Sequence, residues 1–250
     1  MSVLAPKLLQ LQREWADCTR CKLSKTRNKL VFGEGNPGAH ILVLGEAPGE
    51  HEDETGLPFQ GEAGSILNGY LESMQIDRDR DLYVTNVVCC RPTVEGKDER
   101  TGEPRIENRP PSKIEREACR PRLLETIYLV DPLLIVTIGK VPFQALFGKA
   151  PTIASIRGRM HTFHLPGRHT DVRYAVLPMY HTAFLYRTHD NRHEGPWGRT
   201  STDWAKVCSV IDHLREVYYG IPQPQRENEP DDEGGESKSR RTRRGAVSRR

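Results

Sequence analysis

The chain has 250 residues, of which 36% are hydrophobic, 28% charged and 7% aromatic, with a mean hydropathy of −0.64. That composition suits a soluble globular protein of one large or two small domains and excludes collagen-like, coiled-coil and wholly disordered chains. The formal charge is +3, but seven basic residues crowd the last 13, Lys238 to Arg250; the rest carries 30 basic against 34 acidic residues, a net of −4. The body therefore lacks bulk basic charge, and any nucleic-acid contact it makes must come from a local patch.

In chain order, Leu4, Leu8, Leu11 and Trp15 fall at spacings of three and four and predict an amphipathic helix over 3–16. The N-terminus, MSVLAPKLLQLQREWADC, has no signal-like apolar core, and the longest apolar stretches, such as Pro132 to Gly139, are too short to span a bilayer. A cytoplasmic chain is expected, with its six cysteines reduced or metal-bound. Four short apolar runs, 41–45, 82–88, 133–139 and 174–179, read as buried parallel strands. Helices are expected at Ala63 to Met74, Ser112 to Val130, Pro142 to Phe147 and Trp204 to Tyr218. The second opens with a Ser112–Glu115 capping box, and its apolar stripe includes Ile114, Leu123, Leu124 and Ile127. Strands alternating with helices predict a parallel sheet covered on both faces, with ligands at the carboxyl ends of its strands. The polar, charged stretch Thr93 to Asn108 reads as an exposed loop. A single domain over 1–220 is expected to end in a disordered, charged tail over 221–250.

Four constellations can carry chemistry. Cys18 and Cys21 form a CxxC, while Cys90 and Cys119 each precede Arg-Pro; four thiolates from three places can close one site for zinc or an iron–sulfur cluster. Spacing alone leaves the rival reading open, in which the CxxC is incidental and Cys90, Cys119 and Cys208 are buried apolar residues. Glu46 follows the first strand in a glycine-framed turn, placed to orient a water or stabilise a cation. The acidic run Glu50, Glu52, Asp53 and Glu54 equally suits a solvated loop or a Mg²⁺ site. Phe59 offers a stacking face, or fills the core. Asn86, ending the second strand, carries both donor and acceptor and can read a base edge. His181, after the last strand, can donate to a charged leaving group, and the apolar segment behind it can push into a base stack. A turn asparagine and a loop histidine are the plainer readings of these two.

Seven segments in collinear order carry a resemblance: CTRC, GEAPGEHEDETGLPFQGEAG, YVTNVVCCRP, NRPPSKIEREACRP, IVTIG, RGR and YHTAFLYR. Together, over about residues 15–190, the chain resembles the family 4 uracil-DNA glycosylases. The resemblance implies a three-layer α/β/α sandwich around a central, mostly parallel four-stranded sheet. It also implies a [4Fe-4S] cluster held by Cys18, Cys21, Cys90 and Cys119. Glu46 would be the leading catalytic carboxylate, with Glu52 contributing from the same loop and His181 facing the uracil O2. Gly45, Ala47, Phe59, Asn86 and His181 would hold the base; Thr182, Ala183, Phe184, Leu185 and Arg187 would meet DNA. Excision of the base needs no metal at the reacting carbon, which leaves the cluster a structural role. The expected substrate is uracil-containing DNA, met by a monomer in the cytoplasm at the nucleoid, with a replication or repair protein as partner and no membrane.

The chain departs from the family pattern in places. Cys89 stands where the family usually has lysine. The usual His-Pro-Ser is His181-Thr182-Ala183 here. The stretch after Pro92 is longer than usual and lacks the histidine with which a relative traps the sugar covalently. The Arg-rich tail has no counterpart. The rival function is a non-catalytic nucleic-acid-binding or replication-accessory protein on the same fold; intact Glu46, Phe59, Asn86 and His181 favour the enzyme.

Overall fold

A computed structural model describes residues 5–98, 100–149, 151–166, 172–188 and 195–219. The expected tail lies outside the described residues. The elements run α1 (Ala5–Trp15), a 3-10 turn (Lys22–Lys25), β1 (Glu34–Gly35), β2 (Ile41–Gly45), α2 (Glu50–Thr55), α3 (Glu62–Ser73), α4 (Arg78–Asp81) and β3 (Leu82–Asn86). They continue with β4 (Thr93–Lys97), β5 (Pro104–Asn108), α5 (Lys113–Val130), β6 (Leu134–Ile138), α6 (Lys140–Phe147) and α7 (Ile153–Ile156). β7 (His161–His164), β8 (Arg173–Met179), α8 (Thr182–Arg187) and α9 (Pro196–Tyr219) complete the described fold.

The four expected strands form the parallel centre of the sheet, in the order β3-β2-β6-β8. The sheet has six strands rather than four, because β1 and β7 pair antiparallel along its two edges. Neither edge strand has the continuous apolar run by which the buried strands are read; β1 is only Glu34–Gly35.

Alternation along the central strands builds two cores. Leu42, Leu44, Ile135 and Val176 face α1, α5 and α6, joining Leu8, Leu11, Trp15, Leu123, Ile127 and Phe143. Ile41, Val43, Leu134, Val136 and Leu177 face α3 and α9, joining Leu67, Tyr70, Leu71, Trp204, Val207 and Ile211. Burial on both faces is why these strands are apolar without a break. Ile114 does not belong to the α5 stripe: it is 74% exposed, in the first turn, before the helix reaches the sheet. The capping box forms as expected, Ser112 Oγ accepting from Glu115 N–H at 3.3 Å and the Glu115 carboxylate from Ser112 N–H at 2.7 Å.

The expected loop at Thr93 to Asn108 is instead an antiparallel hairpin, β4 with β5, outside the main sheet. Its residues are mostly exposed, so the apolar alternation that betrays a half-buried strand is missing. Asp98 Oδ1 accepts from the Arg100 and Thr101 N–H groups and shapes the turn.

Candidate active site

The carboxyl ends of the parallel strands β2 and β3, with the segment following β8, open onto a cleft of about 390 Å³. Glu46, Ala47, Phe59, Asn86 and His181 all line it. Gly45 ends β2 directly beneath Phe59 and Asn86. A Cβ at Gly45 would lie 2.8 Å from two ring carbons of Phe59 and collide with Asn86 Oδ1, so only glycine lets ring and amide close over the strand end.

Phe59 holds an unusual backbone for an aromatic residue, φ 54°. It is clamped on both sides. Arg78 donates to the carbonyls of Pro58 and Phe59 and pairs with Glu34 at 3.0 Å. Behind it, Glu52 Oε1 accepts from Gln60 N–H at 2.7 Å and Gly61 N–H at 2.9 Å, while Oε2 accepts from Gly49 N–H at 2.9 Å. A Cβ at Gly64 would strike the Phe59 backbone, so α3 also needs glycine there to approach. The acidic run, read from sequence as a solvated loop or a Mg²⁺ site, folds as α2 and supplies this staple; Asp53 accepts from Asn28 N–H with both oxygens at 3.0 Å.

Glu46 stands differently. Burial raises its carboxyl above the ordinary glutamate value, and the positive charge of Arg116 opposes the rise. Asn86 is buried, and its backbone carbonyl accepts from Arg122 at 2.6 Å, leaving the side-chain amide to face the cleft. His181 caps α8, its Nδ1 accepting from Ala183 N–H at 3.1 Å. Desolvation first, then Arg187, hold its pKa down to about 4, so the ring is neutral near pH 7. An accepting Nδ1 leaves the ring proton on Nε2, as a donor. RGR fixes the neighbourhood: Arg157 pairs with Asp203 at 2.6 Å and lies over the Tyr180 ring, 5.4 Å from its centre.

The expected DNA-facing segment is the short helix α8, in which Thr182 and Leu185 are buried, Leu185 in the core shared with α3 and α9. Phe184, Tyr186 and Arg187 are exposed. Tyr186, Arg78, Arg105 and Asn108 escaped the sequence reading, since each depends on long-range packing; Tyr186, Arg105 and Asn108 also line the cleft.

Away from the cleft, Cys90 and Cys119 are buried and Cys18 and Cys21 half-buried. Cys21 lies within electrostatic reach of Cys18 and Cys119, and Cys90 of Cys119 and Cys21. Burial pushes the Cys90 thiol up to about 11, with Arg27 opposing; Arg27 Nη1 lies 3.5 Å from Cys90 Sγ and donates to the Cys18 carbonyl at 2.7 Å. A hydrogen bond from Cys89 and the charge of Arg122 hold Cys119 well below the usual thiol value. Among the described residues, no group of three or more His, Cys, Asp or Glu is arranged around a single metal ion. Likewise, no helix among them is long and apolar enough to cross a membrane.

Known proteins match this sequence. The family model described as "Uracil DNA glycosylase superfamily" matches residues 32–204. A Type-4 uracil-DNA glycosylase of Sulfurisphaera tokodaii is 35% identical over 70% of this chain and 74% of its own length. One from Saccharolobus solfataricus is 37% identical over 66% and 71%, and one from Thermotoga maritima 36% over 70% and 80%.

Proposed function

Because the chain belongs to family 4 of the uracil-DNA glycosylase superfamily, we propose that it excises uracil from DNA by hydrolysing the N-glycosidic bond, leaving an abasic site for base excision repair. The observation that carries this reading is the convergence of a desolvated Glu46, a buried Asn86, a clamped Phe59 and a neutral His181 on one cleft. A duplex base must first leave the stack to enter such a pocket.

The roles follow from the chemistry of each group. Phe59 stacks on the flipped base. Asn86 offers a donor to a uracil carbonyl and an acceptor to N3–H; cytosine presents the opposite pattern. The C1′–N1 bond breaks with its electron pair on uracil, and the charge spreads onto O2, where the His181 Nε2–H donates. Glu46 stabilises the oxocarbenium-like sugar and orients the water that adds to C1′, its carboxylate taking the water's proton as the new C–O bond forms. Glu52, with both oxygens committed to backbone N–H groups, acts as a positioning residue for Phe59.

Cys18, Cys21, Cys90 and Cys119 would hold a [4Fe-4S] cluster. Cys21 lies within electrostatic reach of Cys18 and Cys119, and Cys90 of Cys119 and Cys21, which supports that fit. The cluster would tie the segment after α1, the segment after β3 and helix α5 together, contributing folding free energy. The substrate on this reading is uracil-containing DNA, met by a monomer in the cytoplasm at the nucleoid, with a replication or repair protein as the partner class.

The test is alkali-revealed nicking of a uracil-containing oligonucleotide in EDTA. Nicking at the uracil position is expected. DNA binding without nicking would favour the accessory-protein reading.

A further inference from the structure

The cleft is lined by carboxylates, although its proposed substrate is a polyanion. Glu46, Glu50, Glu52 and Glu62 all border it, and among the described residues that line it the one Lys or Arg is Arg105. Arg105 stands exposed on β5, and its cross-strand neighbour is Gly96, which has no side chain to cover it. It forms no hydrogen bond or ion pair among the described residues, and Asp98 lies within its electrostatic reach.

The arm that carries Arg105 is fixed at its base. Arg91 Nε donates to Asn108 Oδ1 at 2.7 Å, and its Nη1 pairs with Glu50 at 3.2 Å, tying the hairpin to α2. Arg109 Nε donates to the Thr93 carbonyl at 2.9 Å and grips Glu115 with both terminal nitrogens, at 2.8 and 2.7 Å. These two arginines spend their charge on protein carboxylates and hold the strands in place.

We propose that Arg105 binds a backbone phosphate of the DNA strand carrying the flipped nucleotide, and that the β4–β5 hairpin is the arm that holds it at the cleft. This rests on the glycosylase reading. A guanidinium here offsets the repulsion between the cleft carboxylates and the incoming phosphates. The contact reads no base, so it adds affinity and register rather than choice among bases.

The experiment compares full-length wild type, R105Q and R105K on a duplex oligonucleotide with one U·G pair, measuring DNA binding by anisotropy and kcat/KM for excision across a salt series. Losing one phosphate contact should make the R105Q slope of log affinity against log salt shallower by about 1. R105K should restore the slope, and the maximal single-turnover rate and inhibition by free uracil should match wild type in both variants. Parallel salt slopes for wild type and R105Q would overturn the proposal, as would a lower maximal rate with an unchanged slope. If the wild type binds but releases no uracil, the glycosylase reading fails while the binding slopes still decide the role of Arg105.

Discussion

At Glu46 the carboxyl is desolvated and raised, yet the proposed reaction uses its ionised form. The excision rate should therefore fall as pH drops through a value above 4.5, the ordinary carboxyl value. His181 does not set that limb, since it stays neutral down to about pH 4. A single-turnover pH profile checks this: the acid limb should vanish from the residual activity of Glu46→Gln. Glu52→Gln should act differently. A carboxamide can satisfy fewer of the three N–H donors, which costs about 1–3 kcal/mol for each group left unpaired. A lower melting temperature and a weaker free-uracil complex are expected, with the rate at saturation largely kept. Asn86→Asp should lower uracil kcat/KM by roughly 5- to 150-fold, the equivalent of one unpaired buried group, and narrow discrimination against cytosine. Matched excision assays on uracil and cytosine oligonucleotides measure both.

At the scale of elements, the hairpin rests on Arg109 and Glu115. Arg109 first, with help from Ser112, holds the Glu115 carboxyl down to about 2, below its ordinary 4.5. A depressed carboxyl stabilises the fold above its unfolded value and loses that contribution as pH falls. Stability should therefore decline between about pH 4.5 and 2, and Glu115→Gln should flatten that part of the curve in thermal melts at stepped pH. The central strands were legible because burial on both faces leaves an unbroken apolar run, as in Ile41–Gly45. β4 and β5 were not, because a mostly exposed hairpin is held by backbone pairing and by arginines distant in sequence. The helix at Thr182–Arg187 was hidden similarly: its apolar residues suit a loop wedge or a core contact equally, and Trp197 bonding to the Leu185 carbonyl at 3.0 Å decides it.

At the scale of the molecule, the sandwich gathers at one end of its sheet residues that the chain keeps far apart, from Gly45 to His181. Gly45, Glu46, Phe59, Asn86 and His181 were legible as motif positions, whereas the staple from Glu52 and the clamp from Arg78 required the fold. The cysteines obey the same logic: three segments meet only once α1, β3 and α5 are packed. Cys119→Ser should lower bound iron and the melting temperature together, measured by iron analysis and circular dichroism on anaerobically purified protein. Brown protein with a broad band at the blue end of the visible range is expected; colourless protein with stoichiometric zinc would contradict the cluster. The central claim is that Glu46 drives cleavage of a bond in a base that the rest of the cleft merely holds. Its most direct test is single-turnover release of free uracil from a uracil-containing duplex by wild type and Glu46→Gln. A rate loss of roughly 10²- to 10⁴-fold, with free-uracil affinity little changed, is predicted. Near wild-type release by Glu46→Gln would contradict it.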